Sequence, residues 1–286
     1  MNPCRRFMYG SGEKDFFYGF RARPKLKGNS FMKKTNPIII AVAGKGGVGK
    51  TSVSANIVRC LVEAHPDKKI LAVDADPAVG LSTALGIEPQ MTIDDIRKNI
   101  VKNVEGGNTK EAVELLAEVR YRIYDALIEK DGFSFIAIGR PEAQGCYCKI
   151  NGYLKEVIGL LSEQFDYTVI DGEAGIEQVN RRVMEKVSHL ILITDPSKKG
   201  TQVIQTIKKV ADELVMYKEA AVIVNRVSDP EVKNLIHTGD LQVLSYIEND
   251  NNLAFFDIQG QSVFNLPSSS VIVRRTNEAL QKLGLV

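Results

Sequence analysis

Short apolar runs rich in β-branched residues recur along the chain: IIIAVA (38–43), KILAVD (69–74), FSFIAI (133–138), YTVID (167–171), HLILIT (189–194), AAVIVN (220–225) and QVLSYI (242–247). Each is nearly continuously apolar rather than alternating, the pattern of strands covered on both faces in a parallel sheet. Segments of helical period separate them: SVSANIVRCLVEA (52–64), the long TKEAVELLAEVRYRIYDALIEKD (109–131), NGYLKEVIGLLSEQ (151–164), TQVIQTIKKVADELVMY (201–217) and VIVRRTNEALQKL (271–283). The alternation predicts an α/β fold, a three-layer α/β/α domain around a mostly parallel, doubly wound sheet.

The turn between the first strand and the first helix carries the chemistry. GKGGVGKT (44–51) fills every position of G-x-x-x-x-G-K-[ST], so the fold is expected to be that of a P-loop NTPase. Gly44, Gly46, Gly47 and Gly49 let the backbone curl around phosphates, and the loop amides, through Val48 to Ser52, offer fixed positive dipoles with the helix N-terminus. Lys50 is expected against the β- and γ-phosphates and the Thr51 hydroxyl on Mg²⁺.

Lys45 puts a second lysine at the tip of this loop. The form resembles the deviant Walker A of the ATPase class that includes the nitrogenase iron protein and the septum-positioning ATPases. Resemblance implies that Lys45 reaches the nucleotide of an opposite protomer. It also implies that Asp76, in VDADP (73–77), orients the attacking water or an Mg²⁺ ligand, with Asp74 as a supporting strand-end carboxylate. Asp171, in DGEAG (171–175), fits the metal-side Walker B aspartate, with Gly172 and Gly175 giving a second switch room to move. Asn225 and Arg226, in VIVNR (222–226), match the base-recognition position of the class. An Asn amide can pair with the donor and acceptor of an adenine edge, and no guanine-selecting N-K-x-D is present, which favours ATP.

Charge divides the chain unevenly. Residues 1–31 hold seven Lys/Arg and two Asp/Glu; the remainder holds 30 and 33, a net −3. The body thus lacks the basic excess of a nucleic-acid binder. No apolar run approaches the ~18 residues that span a bilayer, and residues 1–31 lack the apolar segment of a secretory signal. Neither nucleic acid nor membrane is expected as a partner. Met32 opens the apolar pattern, so 32–286 is expected to be the ATPase domain and 1–31 a disordered or tag-like extension. A chain with four cysteines and no signal fits a reducing cytoplasm, where close thiols point to metal or redox work.

Two of those cysteines, Cys146 and Cys148, stand one residue apart in GCYC (145–148). A thiolate pair suits a soft or borderline cation such as Ni²⁺ or Zn²⁺, but supplies only two of four tetrahedral ligands. Symmetry offers the economical completion: a C-x-C from each chain of a homodimer gives four sulfurs around one ion on the dyad. A redox dithiol and inert buried cysteines are the alternatives.

GRPEAQGCYC (139–148), DGEAGIEQVNRRV (171–183) and TDPSKKG (194–200), with the deviant phosphate loop, resemble the CooC family, accessory ATPases that mature nickel-containing carbon monoxide dehydrogenase and the related acetyl-CoA synthase. The likeness spans about residues 33–286. It implies a homodimer that binds ATP between subunits, holds Ni²⁺ or Zn²⁺ through Cys146 and Cys148, and releases metal towards an apo-enzyme when ATP binds and is hydrolysed. Two other functions fit the phosphate loop: an iron–sulfur electron-transfer ATPase, which needs cysteines on two separate loops, and a positioning ATPase acting on membrane or DNA.

Overall fold

The structure, a computed structural model, describes residues 36–76, 78, 80–105, 121–139, 156, 158–172 and 186–286. All lie in one compact unit, Thr35–Val286. Its centre is an eight-stranded sheet: β1 (Ile38–Gly44), β2 (Ile70–Asp74), β3 (Ile128–Lys130), β4 (Phe133–Ala137), β5 (Tyr167–Asp171), β6 (His189–Thr194), β7 (Glu219–Val227) and β8 (Gln242–Glu248). The spatial order is β3-β4-β2-β5-β1-β6-β7-β8, and every neighbouring pair is parallel except β3 with β4. The seven apolar runs are the seven parallel strands.

Continuous hydrophobicity follows from burial on both faces. Along β1, Ile40 and Val42 enter one core while Ala41 and Ala43 enter the other, all fully buried. The first core packs under α1 (Lys50–Ala64), α2 (Gly80–Leu85) and the C-terminal α6 (Val271–Lys282). The second packs under α3 (Ile93–Glu105), the helical stretches 121–126 and 158–162, and α4 (Lys198–Leu214). A last helix, α5 (Asn251–Ile258), follows β8 and buries none of its residues.

The helix expected over 109–131 is corrected at its C-terminal end. Helix runs only through 121–126, Leu127 leaves it, and Ile128–Lys130 pairs antiparallel with β4 as an edge strand. The reason is local: Asp131-Gly132 is a tight-turn dipeptide, and Gly132 sits at φ 86°, a hairpin geometry that helix periodicity conceals. Residues 109–120 lie outside the described residues. The helix expected over 201–217 starts earlier, at Lys198, because Ser197 caps it by accepting from Gly200 N–H at 2.9 Å. It also ends earlier, since Val215 is extended and Met216 bridges to Lys186.

The order of strands reverses beside β1, whose neighbours β5 and β6 connect to opposite halves of the sheet. At such a switch point the loops beyond the strand ends part and leave a crevice. β1, β2, β5, β6 and β7 all end there, bringing Gly44, Asp74, Asp171, Thr194 and Asn225 to one edge.

Candidate functional site

The phosphate loop starts where β1 cannot continue with a side chain. Gly44 has φ 153°, and a Cβ there would stand 2.2 Å from the Ile193 carbonyl oxygen of β6, a backbone atom that cannot yield. The loop closes at Gly49 (φ 92°), the N-cap of α1, where no side chain caps the helix and no acidic residue occupies its first turn. The positive end of a 15-residue helix therefore opens into the crevice with its terminal backbone N–H groups uncapped by any side chain. Gly46 and Gly47 are exposed at the tip, Val48 is packed in the core, and Ser52 is half-buried in the first turn. A cleft of about 360 Å³ lies between Gly46, Gly47, Gly49, Lys50, Thr51, Asp76 and Arg226.

Lys50 is 7% exposed and donates to the Lys45 carbonyl across the loop at 3.3 Å. Its ammonium thus spans the cradle that a phosphate chain would fill. Lys45 turns outward and pairs with Asp195 at 3.4 Å. Asp195 closes the DPS turn before α4 by accepting from Ser197 N–H at 3.1 Å and from the Ser197 hydroxyl. Partial burial pushes the Asp195 carboxyl up, but the Ser197 and Lys45 donors outweigh it and hold the group below the ordinary carboxylate range.

Asp171 ends β5 with no exposed surface and faces Asp74 across the β2–β5 ladder. Its two oxygens accept from Thr51 Oγ1 and Ser54 Oγ, each at 2.8 Å. Burial still lifts its pKa to about 6, against the pull of those hydroxyls and of the Lys50 charge. Asp74 is equally buried; burial first and the Asp171 charge second raise it to about 7. Its oxygens hold Asp76 N–H at 3.2 Å and Leu81 N–H at 2.9 Å, so it ties the loop after β2 to the start of α2. Asp76 is half-buried on the cleft wall, with one oxygen accepting from Ala78 N–H at 2.9 Å.

Beyond the loop, β7 ends in a bulge against β8, with a register shift between Asn225 and Val227. Arg226 there adopts φ 61°, is exposed, and lines the cleft. Asn225 is 7% exposed; its Nδ2 donates to Val48 O at 2.8 Å and its Oδ1 accepts from Arg226 N–H at 2.9 Å. The profile of the CbiA family, the CobQ/CobB/MinD/ParA nucleotide binding domain, matches residues 39–263, from the first strand through the whole site. The chain belongs to this family of P-loop ATPases. Among CobQ/CobB/MinD/ParA-type relatives, an uncharacterized ATP-binding protein of Methanocaldococcus jannaschii is 36% identical over 86% of this chain and 98% of its own. The carbon monoxide dehydrogenase accessory protein CooC of Rhodospirillum rubrum is 26% identical over 79% of this chain and 89% of its own. The septum site-determining protein MinD of Bacillus subtilis is 24% identical over 86% and 88%. The cell division ATPase MinD of Pyrococcus furiosus has the same fold, with a TM-score of 0.62, 21% identity, and coverage of 86% and 98%.

The oxygen-only donors around Asp171 fit a hard octahedral cation, so Mg²⁺ is the metal this corner suits. When bound there it would neutralise phosphate charge. The chain's own part is to hold Thr51 and Asp171 in reach through α1 and β5, and to lay the Lys50 ammonium across the loop. Among the described residues no group of three or more His, Cys, Asp or Glu is placed to hold a metal. Cys146, Cys148 and Gly175 lie outside the described residues. No helix among the described residues is long and apolar enough to cross a membrane.

Sequence reasoning missed Ser54, Asp195 and the capping work of Asp74. Ser54 was findable, since i and i+3 share a helix face and Thr51 was already placed. Asp195 had a signal in D-P-S, a turn and N-cap pattern straight after a strand. The pairing of Asp195 with Lys45, 150 residues away, had none.

Proposed function

We propose that this chain is a dimeric, ATP-driven maturation factor that delivers nickel to carbon monoxide dehydrogenase or acetyl-CoA synthase. ATP sits in the cleft with its phosphates against Gly44–Ser52 and its base towards Asn225 and Arg226. Lys45 serves the nucleotide of the facing protomer, Asp76 orients water, and Thr51 with Asp171 would hold Mg²⁺, which would neutralise phosphate charge. Nickel, or zinc in its place, is cargo, held between protomers by Cys146 and Cys148 of each.

One observation carries this assignment: a C-x-C pair downstream of a strand that ends at the nucleotide edge. β4 runs parallel to β2 and delivers the chain past Ala137 to the same edge as the phosphate loop, nine residues before Cys146. A dimer closing over ATP at that edge would bring two such segments towards one another. The likeness to CooC supports the cargo and the client. The likeness to MinD supports a second use of the same engine, ATP-dependent positioning on a surface, for which the cysteines would be incidental.

The test is metal analysis with mass determination on anaerobically purified protein, with and without Mg-ATP. Expected are one nickel or zinc per dimer, its loss in Cys146→Ser, and ATP affinity in that variant within about threefold of wild type. Unchanged metal content in Cys146→Ser would remove the cargo site. ATP-dependent sedimentation with anionic vesicles would favour the positioning role.

A further inference from the structure

The amide of Asn225 does more in this structure than wait for a base. Nδ2 lies 2.8 Å from the Val48 carbonyl oxygen, between residues 177 apart in sequence, and the contact is buried. Oδ1 takes the Arg226 N–H at 2.9 Å. The partners fix the amide's orientation, because a flip would set oxygen against oxygen and donor against donor.

One backbone feature makes room for this contact, and two more present the Arg226 N–H to the same amide. Gly49 adopts φ 92°, and a Cβ there would stand 2.5 Å from Nδ2, in the space the amide occupies. The β7–β8 register slips at Asn225/Val227, which frees Arg226 from the ladder. Arg226 takes φ 61°, the only non-glycine residue with positive φ among the described residues, and its turned N–H is captured by the side chain of its own neighbour. Strain of that kind persists where the surroundings over-determine it.

Resting on the nucleotide assignment of the cleft, we infer that Asn225 is a positioning residue for the phosphate loop. Its amide struts β7 against the loop at Val48, one residue before the left-handed Gly49 that opens α1. Beyond these two contacts the same amide has a second N–H and a second lone pair, the capacity that pairing with a base edge would use. Base and phosphate ends of the cleft are thereby coupled through one side chain: a base that pulls on the amide bears on the loop, and a loop that closes on phosphate sets the amide. A residue that only reads the base would leave phosphate affinity untouched.

That difference is measurable on the full chain with three probes: Mg-tripolyphosphate, which has no base, Mg-ATP and Mg-GTP. Binding is followed by calorimetry, or by displacement of a fluorescent ATP analogue. Asn225→Ala strands the Val48 carbonyl, and the expected result is a fall of about tenfold in affinity for every probe that binds wild type, tripolyphosphate included. Any further loss for ATP beyond that common factor measures the base contact. A fall confined to ATP, with tripolyphosphate unchanged or the ATP-to-GTP ratio alone altered, would overturn the strut, as would no change in any probe. Should Asn225→Ala fail to fold, Asn225→Leu decides in the same way. It keeps nearly the same volume and adds no charge but offers Val48 O no donor, so the same uniform fall is expected. Lys50→Ala is the control that loses all three probes. Wild-type chain that bound none of them would sink the nucleotide assignment itself rather than the strut.

Discussion

Asp74 and Asp171 stand opposite one another on adjacent strands, fully buried, with pKa values raised to about 7 and about 6. Two carboxylates in one dry corner cannot both ionise cheaply unless a cation joins them. In the free chain the folded state therefore binds more protons than the unfolded one near neutrality. The sign of the linkage follows: the pair's contribution to stability is fullest below about pH 4 and declines as pH rises through 6 and 7. A divalent cation held at Thr51 and Asp171 would offset that penalty in place of the proton. Binding of preformed Mg-ATP at pH 6.5 is thus expected to release protons, seen as a calorimetric enthalpy that varies with the ionisation enthalpy of the buffer. At pH 8.5 the variation should vanish, and Asp74→Asn, which removes the repelling charge, should reduce it at pH 6.5. A buffer-independent enthalpy at pH 6.5 would mean that the pair is already ionised.

At the scale of elements, the strands were legible because burial on both faces leaves continuous apolar runs that nothing else in a chain of this composition produces. Helix α1 was legible because the phosphate loop fixes its start. The elements that escaped are those whose cause is not hydrophobic period. β3 is three residues long and exists because Asp131-Gly132 turns the chain. α5 has no fully buried residue and lays only Leu253 and Phe256, half-buried, on the core, too narrow an apolar stripe to mark it; Asp250 starts it by accepting from Asn252 and Leu253 N–H. The same Asp250 accepts from Ile272 N–H at 2.9 Å, and Glu248 just before it holds Arg275 of α6 through both its oxygens. Partial burial opposes ionisation of Glu248, but the Arg275 and Lys233 donors prevail and bring its pKa down to about 2. Here the folded value is depressed, so the stabilisation is present above the ordinary carboxylate pKa and is lost as pH falls towards 2. With Arg275 and Glu248 partly exposed, screening limits the pair to about 1 kcal/mol. Arg275→Ala is expected to lower the melting temperature by a few degrees at pH 7, and the gap to wild type should narrow between pH 5 and pH 3. A gap constant with pH would assign the loss to packing of the arginine stem.

At the scale of the whole molecule, the site is split between what one chain completes and what it points away from. Lys50, Thr51, Asp171 and Asn225 are all satisfied within the chain, whereas Lys45 turns from its own cleft to Asp195 at the head of α4. The contact is one-third exposed on the lysine side and 3.4 Å long, the kind of pair worth ~0.2–1 kcal/mol. A dimer that recruits Lys45 to the facing nucleotide has to break it first. Releasing the lysine should therefore tilt the balance towards the dimer by no more than that small sum. Asp195→Asn keeps the Ser197 cap intact, since an amide oxygen can still accept from Ser197 N–H, and removes the charge that retains Lys45. The expected outcome is an ATP concentration for half-maximal dimerisation lowered about two- to fivefold, read by light scattering. Lys45→Ala should abolish the ATP-dependent dimer altogether. If Asp195→Asn instead raises the ATP requirement, Asp195 belongs to the assembled interface. The lysine would then pass from one protomer's helix to its partner without ever being free.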